Sequence, residues 1–293
     1  MKKIISFLSF VFSLVILFSC EPGRDENGDL LFGVNNPNQN GGGGTGGGAS
    51  GNTRLIKKFT VTDSDGNVST TNYTYTDAKL TSVVTSSNDN TSTKIDITYN
   101  MNLVSKIIHF STDDNGQSVT STLNMVHDGN VLTNINEEQD FGAGEILKSN
   151  TTITYNGNKV LKIERNTFDN ATPPKLFSTI SSDLTFAGDN ISKWIYTVAF
   201  ASNGPITLPP LVVTANLSDY DNKKNPFVEL PKELNIAYTF LDSGGASVLG
   251  LSTNNPKRIM ADGQTAIYNY TYNSDGYPTS GVSDLGKFSY EYY

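Results

Sequence analysis

The sequence predicts an all-β fold: consecutive antiparallel hairpins forming a large curved or partly rolled meander sheet, with at most one short helix. Three observations lead there. The phrase I-T-Y-N-G-N-K-V-L-K-I, from Ile153 to Ile163, alternates apolar and polar residues on either side of Asn156-Gly157-Asn158, residues that tolerate positive φ and turn the chain tightly. Approximate copies recur between Tyr73 and Val282. With Tyr155 and Val160 as anchors, the same spacing appears at Tyr75 and Leu80, Val126 and Val131, Phe186 and Ile191, and Tyr272 and Tyr277, while Tyr99 and Leu103 form a copy one residue shorter. Finally, Thr, Val, Ile, Tyr and Phe dominate these stretches with i, i+2 alternation, and stripes of helical period are nearly absent.

The N-terminus gives an address. Lys2 and Lys3 precede an apolar run from Ile4 to Phe18, and Cys20 follows Leu17-Phe18-Ser19. The run is short of the roughly 20 apolar residues that span a bilayer, so a signal peptide over residues 1–19 is favoured over a transmembrane helix. Leu17-Phe18-Ser19-Cys20 resembles the bacterial lipobox, in which the Cys thiol is acylated and the preceding peptide removed. Phe18 is larger than that position usually carries. The resemblance implies lipid attachment at Cys20, the only cysteine of the chain, which leaves no partner for a disulfide and no thiol for chemistry. An ordinary signal peptide with an incidental cysteine is the alternative. Several acyl chains, at about 0.8 kcal/mol per buried CH₂, would anchor the protein firmly.

Residues 20–52 form a lipidated cysteine and tether. They hold almost no apolar residue besides Leu30, Leu31, Phe32 and Val34, and residues 41–48 read G-G-G-G-T-G-G-G. Such a chain is a flexible linker with a root-mean-square span of roughly 30 Å. No Lys-Ser/Thr follows the glycines and no strand precedes them, which excludes a phosphate-cradling loop. Glu21, Asp25, Glu26 and Asp29 loosely resemble the acidic signals that send Bacteroidota lipoproteins to the cell surface. The expected location is the outer membrane, lipid-anchored, on its surface or periplasmic face. Removal of residues 1–19 takes away Lys2 and Lys3 and no acid, leaving 19 basic against 29 acidic residues. That surface argues against nucleic acid and against electrostatic adhesion to anionic lipid.

Residues 53–293 are a single β-repeat domain. Strands are expected near 54–61, 68–76, 79–86, 92–99, 102–112, 117–126, 130–136, 145–156, 159–168, 176–186, 190–201 and 211–218. Asn225 and Pro226 can cap and open one helix over 226–236. Pro205, Pro209 and Pro210 make 203–210 a loop, and Gly244-Gly245 with Asn254-Asn255-Pro256 make 241–255 a second. Hairpins without crossovers imply antiparallel neighbours. With only 37% hydrophobic residues, one sheet face is expected to be wet and the concave face to pack on itself or on these insertions.

The phrase Tyr272-Asn273-Ser274-Asp275-Gly276-Tyr277-Pro278 resembles the tyrosine/aspartate repeats of Rhs-type β proteins. Tyr220 to Phe227, Asn254-Asn255-Pro256 and Tyr290-Glu291-Tyr292 resemble a group of Bacteroidota lipoproteins. The resemblance implies an extended antiparallel β domain on a lipid anchor, in a group where some domains are suspected of holding flat or apolar ligands. It transfers no catalytic residue. The repeats here are fewer and less regular than in Rhs proteins.

Side-chain chemistry offers few sites. His109 and His127 would have to meet to hold a metal or a haem iron, and their positions in a strand and beside a turn are explained without one. Asp63-Ser64-Asp65-Gly66-Asn67 and Asp113-Asp114-Asn115-Gly116 have the look of calcium loops but lack the twelfth-position carboxylate, and turns account for them. Tyr268, Tyr270 and Tyr272 share a strand face, as do Phe288, Tyr290 and Tyr292; either ladder, or Trp194, would stack on a sugar or planar ligand, or pack across strands. No motif nominates a catalytic group, a metal or a cofactor. The reading is a membrane-anchored lipoprotein whose β domain binds a carbohydrate, lipid or protein ligand or serves a structural role. The alternatives are an envelope carbohydrate hydrolase, which needs paired carboxylates, and a carrier of a lipid or porphyrin, which needs an Ile/Leu/Phe-lined concavity.

Overall fold

The computed structural model describes residues 54–293 except 115, 143, 202–207 and 242–244. The expected signal peptide, Cys20, the expected Gly-rich tether and most of the expected 203–210 loop lie outside the described residues. The first twelve strands are β1 (Ile56–Asp63), β2 (Val68–Thr76), β3 (Lys79–Ser87), β4 (Ser92–Asn100), β5 (Leu103–Thr112), β6 (Ser118–Asp128), β7 (Val131–Asp140), β8 (Ile146–Asn156), β9 (Lys159–Phe168), β10 (Leu176–Ala187), β11 (Asn190–Phe200) and β12 (Leu211–Ser218). The helix α1 (Lys232–Leu241) follows, flanked by 3-10 turns at Pro226–Glu229 and Gly245–Leu251. Then come β13 (Arg258–Ala261), β14 (Gln264–Ile267), β15 (Asn269–Tyr272), β16 (Pro278–Ser283) and β17 (Gly286–Tyr292).

All 17 strands belong to one antiparallel sheet. Each strand from β1 to β13 pairs with its successor, β15 pairs with β16 and β16 with β17, and β1 also pairs with β17. The two remaining edges, β14 and β15, are consecutive in the chain and joined by Tyr268 alone, whose N–H donates to Lys257 O at 2.8 Å. The sheet is therefore a nearly closed barrel, matching the expected rolled meander. Its turns fall at two ends. One end holds the tight turns after β2, β4, β6, β8 and β10, the 219–257 insertion, Arg54 and the C-terminus. The other holds the longer connections after β1, β3, β5, β7, β9 and β11.

The repeat has a physical basis that spacing alone does not reveal. In the five tight hairpins the anchor pairs are Tyr75 with Leu80, Tyr99 with Val104, His127 with Leu132, Tyr155 with Val160 and Phe186 with Ile191. Each returning strand then carries one extra residue, a β-bulge. Four of these bulge residues are Thr81, Ser105, Thr133 and Ser192, and each hydroxyl donates at 3.2 Å to the carbonyl seven residues earlier. The expected Val126/Val131 copy thus shifts by one residue, and Tyr99 faces Val104 rather than Leu103. Tyr272 lies opposite Pro278, not Tyr277. The bulge, not the apolar spacing, fixes the register.

Alternation sorts the side chains. On β4, Ile95 and Ile97 are buried while Lys94, Thr98 and Asn100 are exposed; on β8, Thr151 and Ile153 are buried while Lys148, Thr152, Thr154 and Asn156 are exposed. The 130–136 expectation stopped short because Glu137-Glu138-Gln139-Asp140 reads as polar loop. In β7, Glu138 and Asp140 face water and Glu137 points in.

The core lies at the tight-turn end, where the insertion plugs the barrel. Leu230, Leu234, Ile236, Ala237 and Val248 pack against Tyr73, Leu80, Ile107 and other buried strand residues. Each large aliphatic side chain so buried contributes roughly 1.5–3 kcal/mol. Asn225 caps the first turn as expected, accepting from Phe227 N at 3.0 Å, with Pro226 behind it. The helix proper begins only after Pro231. Helix α1 is buried over Leu234, Asn235, Ile236, Ala237 and Thr239, more than one face, as befits a helix surrounded by sheet. The Asn235 amide donates to Phe227 O and Gly250 O, and a Cβ at Gly250 would lie 2.3 Å from Asn235 Oδ1. Only glycine fits there.

Candidate functional site

Residues paired directly across strands project to one face, so the register resolves the inner surface into rows. One row runs Ile97, Ile107, Leu123, Glu137, Ser149, Thr167, Ser178, apolar at first and polar from β7 onward. Another, nearer the longer connections, runs Thr71, Thr85, Thr93, Ser111. These last four point inward yet are only half-buried, so the inner face at that end is accessible.

The deepest polar group in this face is an ion pair. Arg165 Nε donates to Glu137 Oε2 at 2.7 Å, with the side chains 7% and 0% exposed. The guanidinium lies 5.5 Å from the ring centroid of Phe240 of the plug, and Arg165 sits opposite Thr151. Within it and beside it, Glu137 Oε1 and Thr151 Oγ1 are buried with no hydrogen-bond partner among the described residues, as is Trp194 Nε1 further along the barrel. Ser149 and Thr167 hydrogen-bond at 2.9 Å, and Gln139 donates to Ser121 at 3.2 Å. Burial pushes the Tyr196 phenol up, with the nearby charge of Arg165 pulling the other way.

The histidines do not come together. His109 is inward on β5 opposite Ser121, and burial holds its imidazole down at about 4. His127 lies six residues further along β6, roughly 20 Å away, where Nε2 is 3.2 Å from Glu233 Oε1 of the plug. The Asp63 carboxylate accepts from the backbone N–H groups of Asp65 and Asn67 and from the Asn67 amide, as a turn requires.

The two aromatic ladders lie side by side on one face of the wall, meeting over Gly281 of β16. Tyr268 and Tyr270 stack at 6.3 Å, Phe288 meets Tyr270 edge-on at 5.5 Å, and Tyr290 stacks on Tyr292 at 6.4 Å. The Tyr270 hydroxyl donates to Pro256 O, that of Tyr272 to Asp221, and that of Tyr292 to Pro278 O. Burial raises all three phenols. Trp194 is inward on β11 opposite Leu184 and Ala215, its ring 5.6 Å from Tyr196.

At the tight-turn end a pocket of about 220 Å³ opens between plug and barrel, lined among others by Tyr75, Tyr99, Lys79, Glu229, Leu230 and Glu233. Sequence reasoning passed over it and over the Glu137–Arg165 pair. Alternation carried a signal for the second: in I-N-E-E-Q, Glu137 stands two residues from Ile135, on the buried phase. The pocket had no local signal, because plug and hairpins meet only in the folded chain.

No family model matches the chain, and no curated protein is similar to it in sequence. Among solved structures it is similar to a porin-like protein from Bacteroides uniformis ATCC 8492, at TM-score 0.51 and 14% identity over 83% of this chain and 99% of that one. A porin-like protein from Bacteroides vulgatus ATCC 8482 gives TM-score 0.49 and 13% identity over 82% and 99%. The first likeness is one of fold: a large antiparallel barrel-like sheet.

Proposed function

We propose that this protein is a lipid-anchored lipoprotein of the bacterial outer membrane whose barrel stands in water as a binding module for a polyhydroxylated ligand such as a carbohydrate. The observation that carries this reading is the polar outer face. A membrane-spanning barrel needs an outward apolar band about 25 Å tall. Here outward positions hold ion pairs, Lys94 with Asp96 and Lys162 with Glu164 along the strands and Lys148 with Glu138 nearer the longer connections. A barrel with that surface needs another attachment, and Cys20 offers one. The porin-like neighbour supports an envelope protein by fold only.

The ligand class follows from the inner face. Its apolar half is already filled by the plug, which disfavours carriage of lipid or porphyrin, whereas its accessible half presents hydroxyls. Trp194, its ring beside Tyr196, is the aromatic group we assign to ligand contact; the Tyr268, Tyr270 and Tyr272 ladder forms the adjoining wall. Replacing Cys20 by Ala should release the protein from membranes, and continued lipid labelling of that variant sinks the anchor. Protease shaving of intact cells decides between surface and periplasm. Native mass spectrometry of the purified protein should find a saccharide-sized adduct; a fatty-acid or pigment adduct counts against the polar ligand.

A further inference from the structure

We infer that the pocket between plug and barrel is a binding site for an organic ammonium group, distinct from the polar inner face. Three observations meet there. The open groove between plug and hairpins measures about 220 Å³, enough for a small amine head group. Its wall carries two carboxylates, Glu229 and Glu233, against one ammonium, Lys79, which lies 5.3 Å over the Tyr99 ring and donates to Met101 O. Two phenol rings, Tyr75 and Tyr99, flank the carboxylates, and a cation is attracted both by carboxylates and by aromatic faces. The Tyr75 hydroxyl is shut off from solvent and that of Tyr99 donates to Leu80 O at 2.9 Å, so the rings rather than the hydroxyls are offered to a ligand. A primary ammonium group has three N–H donors, which the two carboxylates can accept, with the phenol rings beside the charge.

The electrostatics support the sign of the ligand. Burial is the main cause that raises the Tyr75 phenol, and Glu229 raises it further; burial and then Glu233 push Tyr99 up to about 12. Both carboxylates therefore act on the phenols that line the pocket, and a cation relieves the excess negative charge. Glu233 is held by His127 at 3.2 Å, and Lys232, the neighbouring cation, is turned away, over the Tyr155 ring at 4.6 Å and bonded to Asn158 O at 2.8 Å. The chain enters the barrel at Arg54, at this same end, where Arg54 bonds Asp275 and the Tyr277 hydroxyl. An ammonium group can come from a free amine or from an aminophospholipid head group.

The test uses the full-length protein. Titration with ethanolamine, followed by calorimetry, should saturate with one site per chain, while ethylene glycol, matched in size and uncharged, should not bind measurably. Glu233→Gln and Glu229→Gln should each weaken ethanolamine at least about tenfold, and Tyr75→Phe by less. Unchanged circular dichroism and melting of these near-isosteric variants would show that the fold is kept. Equal response to the two compounds, or full affinity in Glu229→Gln and Glu233→Gln, overturns the proposal. Flotation of the Cys20→Ala form with phosphatidylethanolamine or phosphatidylcholine vesicles then names the source. Selective flotation with the first, lost in Glu229→Gln, assigns a lipid head group; ethanolamine binding without flotation assigns a soluble amine.

Discussion

Replacing Arg165 by Leu tests whether the interior is organised around its ion pair. The substitution leaves the Glu137 carboxylate, 0% exposed, with neither oxygen paired among the described residues, since Oε1 already has no partner there. Removing one member of a buried pair typically costs 3–5 kcal/mol, because a charge is stranded, whereas replacing both by apolar residues is often neutral or better. The loss of the guanidinium from the face of Phe240 adds a smaller cost. A domain of this size has a urea dependence near the upper end of about 1–3 kcal/mol/M, so the midpoint should fall by roughly 1–2 M. Glu137→Leu combined with Arg165→Leu should recover most of that loss. Urea unfolding of wild type, both single variants and the double variant closes the cycle. The reasoning fails if Arg165→Leu costs less than about 1 kcal/mol, or if the double variant loses the sum of the two singles.

Other substitutions probe other parts of the barrel. His109 titrates near 4 when folded against an ordinary value of 6.5, so between those values the unfolded chain binds a proton that the folded chain refuses. Stability should therefore decline as pH falls through this window and level off below it, by about 3 kcal/mol in all. His109→Gln should flatten the pH dependence of the urea midpoint between pH 7 and 4.5, and an unaltered slope would falsify that assignment. A Cβ at Gly281 would lie 2.2 Å from the Phe288 ring, so Gly281→Ala forces Phe288 off Tyr270. Overpacking of this kind costs about 1–3 kcal/mol, or roughly 2–12 °C in melting temperature, and Phe288→Leu in the same chain should restore part of it.

Much of this fold was legible because it is local. A strand–turn–strand phrase such as Thr152 to Lys162 contains its own alternation and turn, and Gly157 does adopt φ +59°. Pairing with the next phrase then needs no further information. What stayed hidden depends on contacts between distant residues. The bulges at Thr81, Ser105, Thr133 and Ser192 change the register by one, and their hydroxyl bonds are visible in the sequence only once the register is known. Closure joins β1 to β17, from Ile56 with Tyr292 to Asp63 with Gly286, and no sequence period announces such a pairing. The sequence offers the insertion, with its capped helix, as one of two things for the concave face to pack on. Its cap was found, but that it fills the barrel follows from Leu234, Ile236 and Ala237 being wholly buried together.

The division of the barrel into a plugged apolar end and a polar accessible end separates what stabilises the protein from what it offers to a ligand. The buried aliphatic residues, the plug and the five bulged hairpins lie at one end, so losses there should be felt as unfolding. Thr93 and Ser111 lie opposite each other on β4 and β5 at the other end, half-buried and pointing inward. Their hydroxyls border water, so Thr93→Ala with Ser111→Ala should cost only about 1–2 kcal/mol, mostly strand preference and a little packing. If the inner face is where a polyhydroxylated ligand sits, the same pair should lose the adduct seen by native mass spectrometry while the melting temperature moves by a few degrees. A variant that unfolds as readily as Arg165→Leu would mean that the hydroxyl rows hold the barrel together, and that the accessible end is scaffold after all.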